Sequence, residues 1–339
     1  MSTRIVVTGA LGCFGIATIK WLMDHGHSNI LALGRSVNEE RLAAAFGQEK
    51  LQMVRPMTGS VTDFDALKQC FDSFQPTHVA HLAGLQTPDC QNHPATGWAT
   101  NVVGTENIYK LATDSQVQQI VAISSAAVYG PSSMYPDGPV NEDVPVRKST
   151  VYSRTKIAVE LVGERYWEMH QRRSVQTRPF VCFGPGRHQG MSAAYTMAAI
   201  ATALNEAFVM PFFGTYDFSF VPDVGETHGR LLVDEAPHPF AVYNIPGSCC
   251  ETSEFCGLIN EAAVELGIEH QYKVTQGRLR DMPTACNLDW SRVREDFGVS
   301  CTPLKDAIRQ TLEFYVKEVE AGHVTRELIH QWTSTNTSY

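Results

Sequence analysis

The chain has 339 residues, of which 43% are hydrophobic and 19% are charged, a mixture typical of a folded globular protein and not of a disordered one. Its 27 basic and 36 acidic residues give a net charge of −9 without any cluster of Lys and Arg, so we expect no nucleic-acid partner. Nine cysteines without paired spacing, and no apolar run of about 18 residues, lead us to expect a cytoplasmic protein with reduced thiols, no membrane partner and no metal site.

The first half of the chain alternates short apolar runs with longer amphipathic stretches. The apolar runs predict strands over residues 4–8, 30–33, 52–54, 78–82, 119–124 and 175–178. The amphipathic stretches predict helices over residues 13–25, 38–46, 63–74, 94–114 and 151–170. This alternation predicts an α/β fold, a doubly wound parallel sheet of Rossmann type.

The second half of the chain, after Gly184, is less regular because Gly and Pro interrupt it often. Helices are predicted there over residues 191–207, 252–266 and 302–320. We therefore expect a first domain over residues 1–184, with a return segment near 218–248, and a smaller C-terminal α/β domain over 185–330. Residues 331–339 are expected to form a frayed tail.

A glycine-rich turn follows the first predicted strand, with the sequence Thr8-Gly9-Ala10-Leu11-Gly12-Cys13-Phe14-Gly15. In a dinucleotide-binding turn, Gly9 allows the tight turn, Gly12 lets the backbone approach a pyrophosphate, and Gly15 lets the helix pack closely on the strand. The N-terminus of the following helix adds free N–H groups and a partial positive charge. The turn therefore predicts NAD(P) binding by the first domain, and the alternative is a purely structural turn.

The residues that follow the second predicted strand indicate which dinucleotide is bound. An acidic residue there would bond the adenosine ribose 2′-hydroxyl and select NAD. This chain instead has Arg35, whose cation suits a 2′-phosphate. The sequence thus favours NADP, with NAD as the alternative, and a solvated surface charge is the other interpretation of Arg35.

A tyrosine, a lysine and a serine are candidates for acid–base chemistry. Tyr152 and Lys156 are four residues apart in a predicted helix and share one face. An ammonium beside a phenol lowers the phenol's pKa, which would suit Tyr152 to general acid–base catalysis. Ser125 follows the predicted strand 119–124, at the edge where such sheets bind ligands. Taken singly, these residues also fit a surface pair and a capping hydroxyl.

Four further motifs occur in order along the chain. They are His81-Leu82-Ala83-Gly84, Asn101-Val102-Val103-Gly104-Thr105, Ser124-Ser125-Ala126-Ala127-Val128-Tyr129-Gly130 and Arg178-Pro179-Phe180-Val181-Cys182-Phe183-Gly184-Pro185-Gly186. Together with the glycine-rich turn and the Tyr/Lys pair, over roughly residues 1–320, the chain resembles the extended short-chain dehydrogenase/reductase family, of the NAD(P)-dependent epimerase/dehydratase type.

The resemblance implies a role for each candidate. Tyr152 is the proton donor or acceptor, Ser125 is the catalytic hydroxyl, and Lys156 binds the nicotinamide ribose and lowers the pKa of Tyr152. The implied cofactor-binding residues are Gly9, Gly12, Cys13, Phe14, Gly15, Arg35, Ser60, Val61, Leu82, Ala83, Gly84, Asn101, Ser124, Tyr152, Lys156 and Val181. The implied substrate-binding residues are Gln86, Ser125, Ala126, Tyr152 and Arg187.

The resemblance also implies a homodimer, formed through a four-helix bundle built from the predicted helices 94–114 and 151–170. Several positions depart from the family pattern. Val181 and Tyr216 stand where nucleotide-sugar members usually carry Asn and Arg for the substrate diphosphate, and Ala126-Ala127 replaces the acidic pair of dehydratases. Ser60 replaces an Asp that usually contacts adenine. The departures at Val181 and Tyr216 disfavour a nucleotide-diphosphate sugar, and that at Ala126-Ala127 disfavours dehydration. Ser60 bears on the affinity for adenine and not on the class of cofactor.

We therefore expect an NAD(P)-dependent oxidoreductase that transfers hydride between the nicotinamide and a small hydroxy or carbonyl substrate, such as a non-nucleotide sugar, a sugar acid or an alcohol. The alternative is an NAD-dependent (nucleotide-)sugar epimerase with a tightly bound cofactor. An alternative of another class is a non-catalytic NAD(P)-binding sensor or scaffold.

Overall fold

Strands form where the chain carries runs of Val, Ile and Ala, which suit a pleated and buried surface. The computed structural model describes residues 3–115, 117–135, 138–235, 237–268, 271–280, 282 and 284–336. Its strands are β1 (Ile5–Thr8), β2 (Ile30–Gly34), β3 (Val54–Thr58), β4 (His78–His81), β5 (Gln119–Ile123), β6 (Arg173–Arg178), β7 (Val181–Phe183), β8 (Phe208–Phe212), β9 (Thr215–Phe220), β10 (Phe240–Asn244), β11 (Ser248–Glu251) and β12 (Val274–Arg280).

Helices form on the amphipathic stretches between these strands. They are α1 (Cys13–Asp24), α2 (Glu39–Phe46), α3 (Phe64–Phe74), α4 (Thr87–Asn92), α5 (Pro94–Trp98), α6 (Gly104–Thr113), α7 (Val151–His170), α8 (Ala194–Ala203), α9 (Val221–Val233), α10 (Thr252–Glu265), α11 (Ser291–Phe297), α12 (Leu304–Glu320) and α13 (Arg326–Asn336). Among the described residues, no helix is both long enough and apolar enough to span a membrane.

The main sheet has seven strands in the order β10-β6-β5-β4-β1-β2-β3. All six neighbouring pairs are parallel. Strand β1 is buried along its whole length, as a parallel strand must be when helices cover both faces of the sheet. The prediction of a doubly wound, Rossmann-type sheet is therefore confirmed.

Two elements from beyond residue 184 complete this sheet. Strand β10 pairs with β6, and helix α9 packs along α1. The helices approach closely because α9 carries glycines on the contact face: a Cβ at Gly225 would collide with Ala17, and a Cβ at Gly229 would collide with the Trp21 ring. Both elements lie within the segment 218–248 that we expected to return to the first domain.

The rest of the C-terminal half forms a smaller unit together with β7, which precedes Gly184. This unit contains a three-stranded sheet in the order β11-β9-β7 and the parallel pair β12-β8. Its core includes a cluster of aromatic rings from Phe183, Tyr195, Phe218 and Phe255, all of them at most 1% exposed. Helices α8, α10, α12 and α13 contribute buried side chains to the same core.

Some boundaries differ from those predicted. The predicted strand 52–54 is displaced, because Gln52 and Met53 end a 3₁₀ turn and β3 begins only at Val54. The predicted helix 94–114 is interrupted by a π-helical turn over Ala99–Val103. The tail that we expected to fray from residue 331 instead continues α13 to Asn336, because Trp332 is buried in the C-terminal core.

Candidate active site

The glycine-rich turn joins β1 to α1 at the carboxyl edge of the main sheet. Gly9 has a φ of 67°, and a Cβ there would lie 2.8 Å from the amide nitrogen of Ala83. A Cβ at Gly15 would collide with the backbone of Gly9 and Ala10. The first and third glycines are therefore required by the path of the backbone, as a dinucleotide-binding turn demands.

The N-terminus of α1 is suited to an anion. Its N-cap is Gly12, which offers no side-chain hydrogen bond to the helix, and its first turn contains no acidic residue. The first N–H groups of this helix are therefore not capped by its own N-cap side chain. The turn and the helix together fit the pyrophosphate of a dinucleotide.

A cleft of about 560 Å³ runs from this turn across the sheet edge. Most of the predicted site residues line it. They are Gly9, Gly12, Cys13, Phe14, Gly15, Arg35, Ser60, Val61, Leu82, Ala83, Gly84, Gln86, Ser124, Ser125, Tyr152, Lys156 and Arg187. Asn101, Ala126 and Val181 are at most 3% exposed and are not among the described residues that line the cleft.

Asn101 lies behind the wall of the cleft, in the π-helical turn before α6. Its Oδ1 accepts a hydrogen bond of 2.7 Å from the Leu85 N–H, and its Nδ2 donates to the Leu85 carbonyl and to Thr155 Oγ1, each at 3.0 Å. A Cβ on Gly84 would lie 3.3 Å from Asn101 Oδ1. Asn101 thus fixes the loop after β4, which itself lines the cleft.

One end of the cleft is formed by the residues after β2. Arg35 lines it as expected, and Arg41 from the first turn of α2 lines it as well. Asn38 caps α2 by accepting a bond of 2.9 Å from the Arg41 N–H, and Arg41 Nη1 donates to the Ser36 carbonyl at 2.9 Å. Two guanidinium groups therefore face the end of the cleft where the sequence suggested one.

The other part of the cleft brings together the three candidates for acid–base chemistry. Tyr152 and Ser125 line this part together, and the Ser125 side chain is one of the groups that lower the pKa of the Tyr152 phenol. Lys156 Nζ donates a bond of 2.8 Å to the Ile123 carbonyl and lies 5.8 Å from the centroid of the Tyr152 ring. Because a capping box of Thr150 and Ser153 starts α7 just before Tyr152, this residue lies in the first turn of the helix at the sheet edge.

Burial controls the protonation of both groups. Burial raises the pKa of Tyr152 to about 12, against the opposing effects of the Ser125 hydrogen bond and the Arg187 charge. Burial also lowers the pKa of Lys156 to about 8. The expectation that Lys156 brings the pKa of Tyr152 toward neutrality is therefore not met. Tyr152 is a protonated phenol at neutral pH, and its raised pKa makes it a weaker acid than a free phenol.

The structure adds residues that the sequence analysis did not select. They line the cleft and include Leu11, Arg41, Leu85, Thr96, Thr100 and Phe180. Arg41 had a sequence signal, since it lies three residues after the N-cap Asn38 of the helix that follows β2. Thr96 and Thr100 had none, because they reach the cleft only through the packing of α5 and of the π-helical turn after it.

A family model described as the NAD dependent epimerase/dehydratase family matches residues 5–245. The chain belongs to this family. It is therefore an enzyme of the NAD-dependent, extended short-chain dehydrogenase/reductase type, as the resemblance of its motifs implied.

Three similar proteins align with nearly the whole chain. The UDP-glucose 4-epimerase of Mycolicibacterium smegmatis is 28% identical over 326 residues, which are 92% of this chain and 98% of that protein. The structure of Thermus thermophilus UDP-glucose 4-epimerase in complex with NAD has a TM-score of 0.77 at 21% identity, covering 92% of this chain and 99% of that one. L-threonine dehydrogenase from Clostridium difficile has a TM-score of 0.74 at 20% identity, covering 96% and 99%. At these identities the two structures show a shared fold.

Proposed function

We propose that the protein is an NAD(P)-dependent dehydrogenase or reductase of a small hydroxy or carbonyl substrate that is not a nucleotide sugar. The observation that supports it is that Ser125, Tyr152 and Lys156 lie together in a cleft that begins at the dinucleotide-binding turn. When bound, a nicotinamide dinucleotide supplies a hydride donor or acceptor. The residues of the chain must then bind the substrate oxygen and move its proton.

Two hydroxyl groups suit that task. Ser125 holds the substrate oxygen, and Tyr152 donates a proton to it in the direction of carbonyl reduction. The Tyr152 phenol carries its proton at neutral pH, so this direction needs no prior change in its charge. Lys156, whose Nζ is fixed by the Ile123 carbonyl beside the phenol, is the residue that would bind the nicotinamide ribose.

Two buried side chains disfavour a nucleotide sugar as the substrate. Val181 is 3% exposed and Tyr216 is 1% exposed, and both belong to the C-terminal core. The Tyr216 hydroxyl donates to the Phe213 carbonyl at 2.6 Å and accepts from the Met282 N–H at 2.9 Å. These are the positions where nucleotide-sugar members carry the Asn and Arg that contact the diphosphate, so neither contact is available here.

A sugar epimerase is the second candidate, and the whole-length similarity to the UDP-glucose 4-epimerase of M. smegmatis favours it. The two functions differ in net chemistry. A dehydrogenase changes the oxidation state of its substrate and of the cofactor, whereas an epimerase inverts one carbon and leaves both unchanged. Absorbance at the nicotinamide band during turnover therefore distinguishes them.

The experiment is a cofactor-reduction screen. Purified protein with NAD or NADP is incubated with a panel of sugars, sugar acids, hydroxy acids, lactones and aromatic alcohols, and with UDP-glucose. We expect absorbance of the reduced nicotinamide with at least one small substrate and none with UDP-glucose. Interconversion of UDP-glucose and its epimer, without a change in absorbance, would contradict the proposal and establish the second candidate.

The preferred cofactor is NADP in this proposal. Arg35 and Arg41 both line the end of the cleft that follows β2, and none of the described residues that line the cleft is Asp or Glu. A 2′-phosphate would therefore meet two cations and no carboxylate, whereas NAD would lack the acidic partner for its ribose 2′-hydroxyl.

A homodimer is also proposed, through the helices 94–113 and α7. Exposed apolar side chains lie on these helices: Trp98 is 47% exposed, Val103 38%, Leu161 57% and Met169 59%. Large apolar groups in water favour association, and a second copy would cover them with the same surface. The four-helix bundle expected from the resemblance uses these two helices.

A further inference from the structure

Arg187 is the cation of the cleft nearest to the candidate acid–base groups, and its side chain is held in place. It lies in the loop between β7 and α8, lines the cleft with Ser125 and Tyr152, and its charge acts on the Tyr152 phenol. Its Nη1 donates to Gln86 Oε1 at 3.1 Å, and its Nη2 donates to Ser192 Oγ at 3.0 Å. The guanidinium is therefore oriented before any ligand arrives.

The loop that carries Arg187 is anchored at both ends by the C-terminal helices. The Gly186 N–H donates to the Tyr315 hydroxyl of α12 at 3.0 Å, and Trp332 Nε1 of α13 donates to the Gly190 carbonyl at 2.9 Å. Gly190 has a φ of 82°, and a Cβ there would collide with the Gln86 amide that holds the guanidinium. Such anchoring preorganises a binding group.

The hydrogen bonds of this guanidinium leave its charge unbalanced. Its two supports, Gln86 and Ser192, are neutral, and so is the nearby Cys13 thiol, whose pKa burial raises. None of the described residues that line the cleft is acidic. Its Nε is buried and has no hydrogen-bond partner among the described residues. A cation and a buried donor without an acceptor both cost stability, and an oxyanion on a ligand satisfies both at once.

We propose that Arg187 binds a carboxylate of the substrate, so that the preferred substrates are hydroxy acids or the corresponding keto acids. The inference rests on the proposed dehydrogenase function. The planar guanidinium of an arginine can bond both oxygens of a carboxylate, and Arg187 lines the same cleft as Ser125 and Tyr152. A carboxylate held there would bring the acid's reacting carbon toward those two residues. The alternative partner of Arg187 is the pyrophosphate that a bound cofactor would bring to the glycine-rich turn. Arg187 is near enough to that turn to interact with Cys13.

The first test uses matched substrates. Each hydroxy acid that reduces the cofactor is compared with its primary amide, which keeps the size and removes the charge. We expect kcat/KM of the acid to exceed that of the amide by about 100-fold, the value of a hydrogen bond to a charged group.

Arg187→Met should abolish this preference and Arg187→Lys should retain part of it. Arg309→Gln, which removes an exposed arginine of α12, is the control and should leave the ratio as in the wild type. An equal preference in the wild type and in Arg187→Met would overturn the proposal.

The second test measures binding without turnover. Calorimetry compares malonate with malonamide on the cofactor-saturated enzyme, and separately measures the Kd of the cofactor for wild type and Arg187→Met. We expect the wild type to bind malonate but not malonamide, and Arg187→Met to bind neither. The cofactor Kd should differ between the two proteins by less than about threefold. A cofactor Kd that rises about 100-fold in Arg187→Met would assign the oxyanion to the pyrophosphate and refute the carboxylate site. If no substrate of the panel reduces the cofactor while malonate still binds through Arg187, the dehydrogenase function fails and the anion site stands.

Discussion

Arg178 holds the Glu160 carboxylate by two parallel hydrogen bonds, from Nε to Oε1 at 2.8 Å and from Nη2 to Oε2 at 2.7 Å. Both side chains are buried, at 4% and 11% exposure. Glu160 also accepts a bond of 2.5 Å from Ser124 Oγ, next to the candidate catalytic Ser125. This ion pair therefore joins β6 and α7 directly behind the acid–base groups.

We predict that Arg178→Met destabilises the protein strongly, because it leaves the Glu160 carboxylate buried without its cation. Breaking one partner of a buried ion pair costs about 3–5 kcal/mol. The double variant Glu160→Met with Arg178→Met removes both charges and should recover much of that loss. Urea unfolding of the three proteins measures the free energies. A single variant within about 1 kcal/mol of the wild type would show that the pair contributes little.

Tyr152→Phe tests the proton donor. We expect kcat to fall about 10²- to 10⁴-fold, the range for loss of a general acid or base, while the cofactor Kd stays within about threefold. Steady-state kinetics and calorimetry give the two values. If turnover survives with cofactor binding intact, the assignment of Tyr152 is wrong. If the wild type itself shows no turnover, a binding protein without catalysis becomes the better description.

The cationic end of the cleft predicts a cofactor preference. Calorimetry should give a lower Kd for NADP than for NAD, and Arg41→Gln should weaken NADP by about 10-fold with little effect on NAD, because only NADP carries the 2′-phosphate. Arg35→Gln should act in the same direction. Tighter binding of NAD than of NADP by the wild type would refute the preference, whatever the variants do.

Two buried histidines, His81 and His228, and the half-buried His78 predict loss of stability in acid. Burial lowers the pKa of His81 and of His228 to about 3 and that of His78 to about 4, all from 6.5. The folded state thus keeps them neutral while the unfolded state protonates them below pH 6.5. Their contribution is complete above pH 6.5 and is lost as the pH falls toward 3–4, at up to about 1.4 kcal/mol per pH unit for each group.

Urea unfolding between pH 7 and pH 5 measures this slope. His228→Gln, which cannot titrate, should remove about one proton from it. A slope that does not change in His228→Gln would show that this ring binds the same number of protons in the folded and unfolded states, which would contradict the prediction.

The exposed apolar residues on α5 and α7 predict the effect of charge on assembly. We expect the wild type to sediment as a dimer, and Trp98→Glu with Leu161→Glu to sediment as a monomer, because both changes place charges on the proposed interface. Val264→Glu changes a side chain of α10 that is 73% exposed and serves as the control that should remain dimeric. A monomeric wild type would contradict the proposed homodimer.

Sequence reasoning located the sheet and the dinucleotide turn because both depend on local signals. The buried run Ile5-Val6-Val7 and the glycines at 9, 12 and 15 specify a strand, a turn and a helix within a dozen residues. The boundaries of α7 also agreed with the pattern, since the capping box of Thr150 and Ser153 starts the helix.

Features set by long-range packing were not accessible in this way. The pKa of Tyr152 is raised because the folded chain buries it, an effect that outweighs the opposing effects of Ser125 and Arg187, whereas the helix spacing had drawn attention to Lys156. The burial of Trp332 was missed because the polar residues around it indicate a solvated end, and only contact with the C-terminal core makes it part of α13. Asn101 was expected at the cofactor, whereas its side chain bonds to the backbone of Leu85.

The origin of α9 and β10, beyond residue 184, has a practical consequence. A fragment cut after Gly184 would leave β6 as an unpaired edge and expose the surface of α1 around Ala17 and Trp21. Open edges and uncovered apolar surface promote aggregation. We therefore expect a fragment of residues 1–184 to aggregate when it is expressed alone.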